Sequence, residues 1–198
     1  MINKWKYNFA SDCTVIELKE KFFVYCIFKN ARSSLMHDQW KLKLKMFTNE
    51  HITDLDCINV FIREPIERFV SGVHTYLYHN RISDLTPQIK NTIETLSLND
   101  KHIMPQYFWL LHLLKYYKGK INILPIKELY NILLSHKGPW SGSKNPLPWT
   151  PLSDELKKEI LNIDHKNYTA IDQKIIKKYI GKTINLKKLA NEIRNDLS

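Results

Sequence analysis

Val15 to Leu18 and Phe22 to Phe28 are short apolar runs around the polar pair Glu20-Lys21, and they predict two strands near the amino end. After Lys29 to Arg32 the period changes. Met36, Trp40, Leu44 and Phe47 are spaced by four, four and three, which predicts one face of a helix. Cys57 to Ile62 is again β-rich, and Pro65 follows where a helix accepts it at its first position. Ile66, Phe69, Val70, Val73 and Leu77 then share a helical face, with Glu67, Ser71, His74 and Tyr78 along another. Two strand, turn and helix units in succession predict an α/β chain with a mainly parallel sheet flanked by helices.

Further on, the segment from Arg81 to Lys101 is polar and reads as a loop or a weak helix. Met104 to Tyr117 predicts a helix, Ile121 to Leu124 a strand and Ile126 to Leu134 another helix. Lys137 to Pro151 holds two of the five glycines, four of the eight prolines and two tryptophans, which marks an irregular segment. Ser153 to Ile163, Tyr168 to Ile180 and Leu186 to Leu197 predict a helical carboxyl-terminal part. With 198 residues and no repeat or linker, a single domain over 1–198 is expected.

Composition narrows the class of partner. The chain is 43% hydrophobic and 25% charged, enough apolar surface for a core, and its formal net charge is +10. Such an excess of cations suits anionic ligands, although dispersed surface lysines commonly do no more than solvate. Cys13, Cys26 and Cys57 match no metal-ligand spacing and are expected as buried free thiols. The stretch from Met1 to Asp12 lacks the apolar run of a signal peptide, and no segment reaches the length of a membrane span. A soluble, cytoplasmic protein is therefore expected.

Chemistry concentrates at two strand-to-helix junctions. In Phe28-Lys29-Asn30-Ala31-Arg32-Ser33-Ser34-Leu35, two cations and two hydroxyls sit where a helix start presents unpaired N–H groups, an arrangement suited to phosphate or sulfate. A Walker loop needs glycines to wrap the phosphates, and no glycine precedes Gly72, so that type of nucleoside triphosphatase is excluded here. In Arg63-Glu64-Pro65-Ile66-Glu67-Arg68-Phe69-Val70-Ser71, Arg63 closes a strand where a guanidinium can grip phosphate bidentately, and Ser71 adds a donor. An arginine at such a place equally forms a surface ion pair, with Glu64 or Glu67 in reach.

Taken together, the two segments resemble the nucleotide motifs of sulfotransferases that use 3′-phosphoadenosine 5′-phosphosulfate (PAPS). Lys29 to Leu35 is similar to the 5′-phosphosulfate loop, P-K-x-x-x-S/T-S-L, with Phe28 in place of the proline. Arg63 to Ser71 is similar to the 3′-phosphate motif, R-x-P-x-x-R-x-x-S. The likeness is greatest to the carbohydrate sulfotransferases and their bacterial and viral relatives. Three weaker likenesses accompany it: His102-Ile103-Met104-Pro105-Gln106 to an H-x-x-P-Q segment, Leu124 to Leu129 to a strand with an E-x-L turn, and Leu152 to Tyr168 to a helix ending in an aspartate and tyrosine pair.

The resemblance implies a P-loop-like three-layer fold and metal-free in-line transfer of a sulfuryl group from PAPS to a hydroxyl acceptor, a carbohydrate first of all. It implies cofactor contacts from Lys29, Asn30, Ala31, Arg32, Ser33 and Ser34, with Arg32 either touching the cofactor or turned to solvent, and 3′-phosphate contacts from Arg63 and Ser71. Lys29 would stabilise the leaving phosphate oxygen. The acceptor needs a base, for which His51 and His102 stand equal, with His37 and Glu67 behind. Two other readings stay open: a phosphotransferase with a degenerate loop, which lacks an evident Mg²⁺ carboxylate, and a basic nucleic-acid-binding module, against which no recognition motif and dispersed lysines weigh.

Overall fold

A computed structural model describes residues 14–27, 45–47, 51–95, 100–135 and 152–198. Within them the chain forms β1 (Val15–Lys19), β2 (Phe22–Tyr25), β3 (Lys45–Phe47), β4 (Cys57–Ile62), α1 (Pro65–His79), α2 (Pro87–Glu94), α3 (Gln106–Leu113), β5 (Lys120–Pro125), α4 (Ile126–Ser135), α5 (Asp154–Leu161), α6 (Lys166–Tyr179), β6 (Lys182–Asn185) and α7 (Leu186–Leu197). The fold is α/β, with one six-stranded sheet in the order β3-β1-β2-β4-β5-β6. Among the described residues no helix is long and apolar enough to cross a membrane.

The sheet is mixed, where a mainly parallel one was expected. β2 pairs with β4 and β4 with β5 in parallel, while β1 runs antiparallel to both β2 and β3, and β5 to β6. The reversal at the amino end is local. Only two residues, Glu20 and Lys21, join β1 to β2, and so short a connection can only turn the chain back on itself. Lys21 takes a left-handed φ of 58° there, and its N–H donates to Glu17 Oε1 at 2.9 Å.

Period-two alternation divides the sheet between two cores. Ile58, Val60 and Ile62 of β4, Tyr25 of β2 and Ile27 just beyond it, and Ile121 and Ile123 of β5 point to one face, beneath Trp109, Leu110 and Leu113 of α3 and apolar residues of α6 and α7. Ile16, Val24, Cys26 and Phe61 point to the other face, where Leu129 of α4 packs. A third cluster joins Phe69, Val73 and Leu77 of α1 to Ile93 of α2, Ile160 of α5 and Tyr168 of α6. The sheet is thus flanked by helices on both faces.

One sequence expectation changes and two are resolved. Phe47, read as the end of a helical face, lies in β3 opposite Val15; its spacing from Leu44 fits a helix, but its side chain packs edge-on against Phe23 across the sheet. The segment from Leu152 to Tyr168, one helix by resemblance, is two, as the separate patterns of Ser153 to Ile163 and Tyr168 to Ile180 predict: it breaks at 162–165, where Asp164 accepts the Lys166 N–H, and Tyr168 falls in the first turn of α6. The segment 81–101 carries a formed helix, α2, with Thr86 as its N-cap and Pro87 at its first position. Cys26 is buried as expected and Cys57, at the start of β4, only partly so, while Cys13 lies outside the described residues.

Candidate functional site

The two junctions singled out in the sequence leave from neighbouring strand ends. Val24 pairs with Asn59 and Tyr25 with Val60 in parallel register, so Ile27 comes level with Ile62 and both bury in the same core. The chain after Ile27 carries Lys29, Asn30, Ala31, Arg32, Ser33 and Ser34, which lie outside the described residues, as does His37. The chain after Ile62 is Arg63, followed by Glu64, whose carboxylate caps α1 by accepting the Glu67 N–H at 2.7 Å, and by Pro65 at the first helical position. Ligands of parallel α/β sheets bind at such carboxyl ends of strands.

Arg63 is held by its backbone. Its N–H donates to Gln106 Oε1 at 2.9 Å, and Gln106 Nε2 donates to its carbonyl at 2.8 Å. Its guanidinium is part-exposed and pairs with Glu67 at 3.5 Å, the ion pair that the spacing allowed. Gln106 is buried and is the last residue of the H-x-x-P-Q segment. The geometry therefore joins Arg63 to Gln106, which are 43 positions apart.

Two more contacts complete a bracket between α1 and that segment. Arg68, fully buried on α1, donates through Nη1 to the Met104 carbonyl and to the Tyr168 hydroxyl, which itself donates to the same carbonyl at 3.2 Å. Gly72, next to Ser71, faces the His102 backbone: a Cβ there would collide with the His102 carbonyl oxygen and sit 3.1 Å from its carbon. Glycine is required at this point by the closeness of the approach. The His102 backbone thus packs on α1 at Gly72, while its ring lies toward His79 at the end of that helix.

Asp172 on α6 supports the segment from behind. Its carboxylate accepts the N–H of Gln106 at 2.7 Å and of Tyr107 at 2.8 Å, the first two residues of α3. These donors have no partner within their own helix, and their partial positive charge favours an anion. Burial pushes the Asp172 carboxyl up to about 6, against the pull of the two amides and of Arg68, which lowers it.

His102 has a close acidic neighbour. Asp100 Oδ1 lies 2.9 Å from His102 Nδ1 and accepts the His102 N–H at 2.7 Å. Burial alone would raise the Asp100 carboxyl, but the hydrogen bonds and charge of His102, with His79 adding to them, outweigh it and hold it below its ordinary value. His79 at the end of α1 packs its ring 5.5 Å from that of His102. His51 is exposed on the turn before the buried Ile52, and no contact among the described residues ties it to this group.

Arg68, Asp100 and Asp172 were not singled out from the sequence. Arg68 stood inside a quoted motif. Asp172 could have been found as the one charge in the stripe of Tyr168, Ile171, Ile175 and Tyr179, since a carboxylate on an apolar helical face needs a partner. Asp100 gave no periodic signal. The chain matches no known protein-family model, no curated protein and no solved structure.

Proposed function

We propose that this chain is a PAPS-dependent sulfotransferase acting on a hydroxyl acceptor, of carbohydrate class. The observation that carries the reading is the parallel register of β2 with β4, which sets the ends of the two strands leading into the phosphosulfate-like and 3′-phosphate-like motifs side by side. A single nucleotide with phosphate groups on both its 5′ and 3′ positions is the ligand that two adjacent anion-binding strand ends would suit. On this reading the three-layer sheet is P-loop-like, with a loop that lacks the Walker glycines.

Arg63 and Ser71 would hold the 3′-phosphate, and the loop residues Asn30, Ala31, Arg32, Ser33 and Ser34 the phosphosulfate. Lys29 would neutralise the phosphate oxygen as it leaves. The acceptor oxygen forms a bond to sulfur while the bond from sulfur to the bridging phosphate oxygen breaks, releasing adenosine 3′,5′-bisphosphate. The acceptor proton passes to a base. His102 is favoured over His51 because its backbone packs on the helix that carries Ser71, through Gly72. Such a reaction asks mainly for positioning and charge stabilisation.

The test compares ligands on the intact protein. Adenosine 3′,5′-bisphosphate is expected to raise Tm well above the shift given by AMP, and radiolabelled PAPS to pass its label to members of a panel of neutral and acidic oligosaccharides. Equal shifts from the two nucleotides, or salt-sensitive binding to arbitrary DNA with no label transfer, would overturn the reading.

A further inference from the structure

We propose that Asp172 is a positioning residue for the 3′-phosphate grip of Arg63, acting through the side-chain amide of Gln106. This rests on the sulfotransferase reading, and it reaches beyond both nucleotide motifs to a carboxylate on α6.

The relay has a direction. Gln106 Nε2 lies between two acceptors, 2.8 Å from the Arg63 carbonyl oxygen and, in a longer contact, 3.5 Å from Asp172 Oδ2. An ionised carboxylate only accepts hydrogen bonds, so it favours the NH₂ end of the amide on its own side and leaves Oε1 turned to the Arg63 N–H, at 2.9 Å. Were the amide reversed, its oxygen would face the Arg63 carbonyl and the carboxylate, and its NH₂ would face the Arg63 N–H. Three mismatched contacts would replace three matched ones. The carboxylate thus sets which end of Gln106 meets which end of the Arg63 backbone.

The segment that carries Gln106 is clamped at both ends. Asp172 accepts the N–H groups of Gln106 and Tyr107 at 2.7 and 2.8 Å, while Arg68 and the Tyr168 hydroxyl hold the Met104 carbonyl two residues earlier. Asp172 is faced by the Arg68 guanidinium from α1, by the Tyr107 hydroxyl from α3 and by the Tyr168 hydroxyl of its own helix. Stability does not account for an acid at this place. Burial raises its carboxyl to about 6, so the fold disfavours the charge, and a neutral amide of the same shape would be less costly to bury. What the charge adds is an acceptor at both oxygens, and that is what orients Gln106.

The experiment uses Asp172→Asn, Gln106→Leu and the double variant in the full chain, with calorimetric titration of adenosine 3′,5′-bisphosphate and of AMP well above the Asp172 value. Asp172→Asn should lower the preference for the bisphosphate over AMP by roughly 5-fold or more, with AMP affinity within about 2-fold of wild type. The double variant should lose no more preference than Gln106→Leu alone, because the two residues act in series. A residue that only supports the fold would weaken both nucleotides together. That equal weakening, an unchanged preference in Asp172→Asn, or losses that add in the double variant would overturn the role of Asp172 and leave the sulfotransferase reading standing. A wild type with no preference for the bisphosphate overturns that reading, and the positioning role with it. Should Asp172→Asn fail to fold, NMR spectra of the wild type decide: through about pH 6 the Arg63 amide signal is expected to shift together with those of Gln106 and Tyr107. An Arg63 amide that stays fixed there overturns the relay.

Discussion

Gln106 closes two hydrogen bonds on the backbone of Arg63, one to its N–H and one from its amide to the carbonyl. A side chain here does what a neighbouring strand would do, extending the ladder one residue past the end of β4 and fixing where the arginine leaves it. Replacing it by Gln106→Leu keeps the volume and removes both bonds, leaving two backbone groups of a part-buried residue unmatched. The expected loss is about 1–3 kcal/mol in urea unfolding, with weaker adenosine 3′,5′-bisphosphate binding. Unchanged stability would show that the Arg63 backbone finds water instead.

Gly72→Ala places a methyl against the His102 backbone. Because the obstacle is main chain, relief requires α1 and the turn at His102 to separate, at a cost of roughly 1–3 kcal/mol. The readouts are Tm and the NMR signals of His102, which should both move. A variant with wild-type Tm would mean that the two segments part without strain.

Asp172 makes stability fall with rising pH. Its folded value of about 6 lies above the ordinary value of 3.8, so between these limits the folded chain binds the proton more tightly than the unfolded chain. Its contribution is therefore greatest below about pH 4 and is lost as pH rises through about 6, on the order of 3 kcal/mol in all. The measurement is urea unfolding from pH 4 to 7 for the wild type and Asp172→Asn. The difference between the two curves should slope in this window, and parallel curves would contradict the shift.

Glu67 pairs with Arg63, the side chain proposed to hold the 3′-phosphate. Arg63→Ala should erase the advantage of adenosine 3′,5′-bisphosphate over AMP in raising Tm. Glu67→Gln frees the guanidinium and should tighten bisphosphate binding by about 2- to 3-fold, in keeping with the small worth of an exposed pair. Calorimetric titration of both variants checks this, and weaker binding in Glu67→Gln would place Glu67 on the ligand side of the site.

Lys29→Ala tests the other junction. A lysine that acts on the leaving oxygen in the transition state should cost roughly 100-fold or more in kcat and much less in bisphosphate affinity. Near-normal turnover would remove Lys29 from the chemistry.

Much of this fold could be read from the chain because local and tertiary signals agree there. Cys57 to Ile62 is apolar on both faces, as a central parallel strand must be, and Pro65 with the period of α1 marks the helix start. Phe47 misled because a residue three after Leu44 satisfies helical spacing, whereas its place is decided by pairing with a strand more than 30 positions earlier. β6 was not foreseen: of Lys182-Thr183-Ile184-Asn185 only Ile184 is buried, and its pairing with β5 depends on a turn at Gly181, where φ is 76°. In the site, the junction at Arg63 was legible as a motif. Asp100 and Asp172 were not, since each acts on a partner chosen by folding, one across a tight turn and the other 66 positions away.

The placing of Tyr168 has a consequence for the order in which the protein is made. The buried Arg68 is met by a hydroxyl synthesised 100 residues later. While the ribosome is still adding α2 to α5, the guanidinium lacks that acceptor, and sealing it from water would carry a large desolvation cost. The first helix of the site must therefore stay hydrated on that side until α6 emerges. The bracket between Arg68, Met104 and Tyr168 is set among the last events of synthesis, although two of its three residues are among the earlier ones translated.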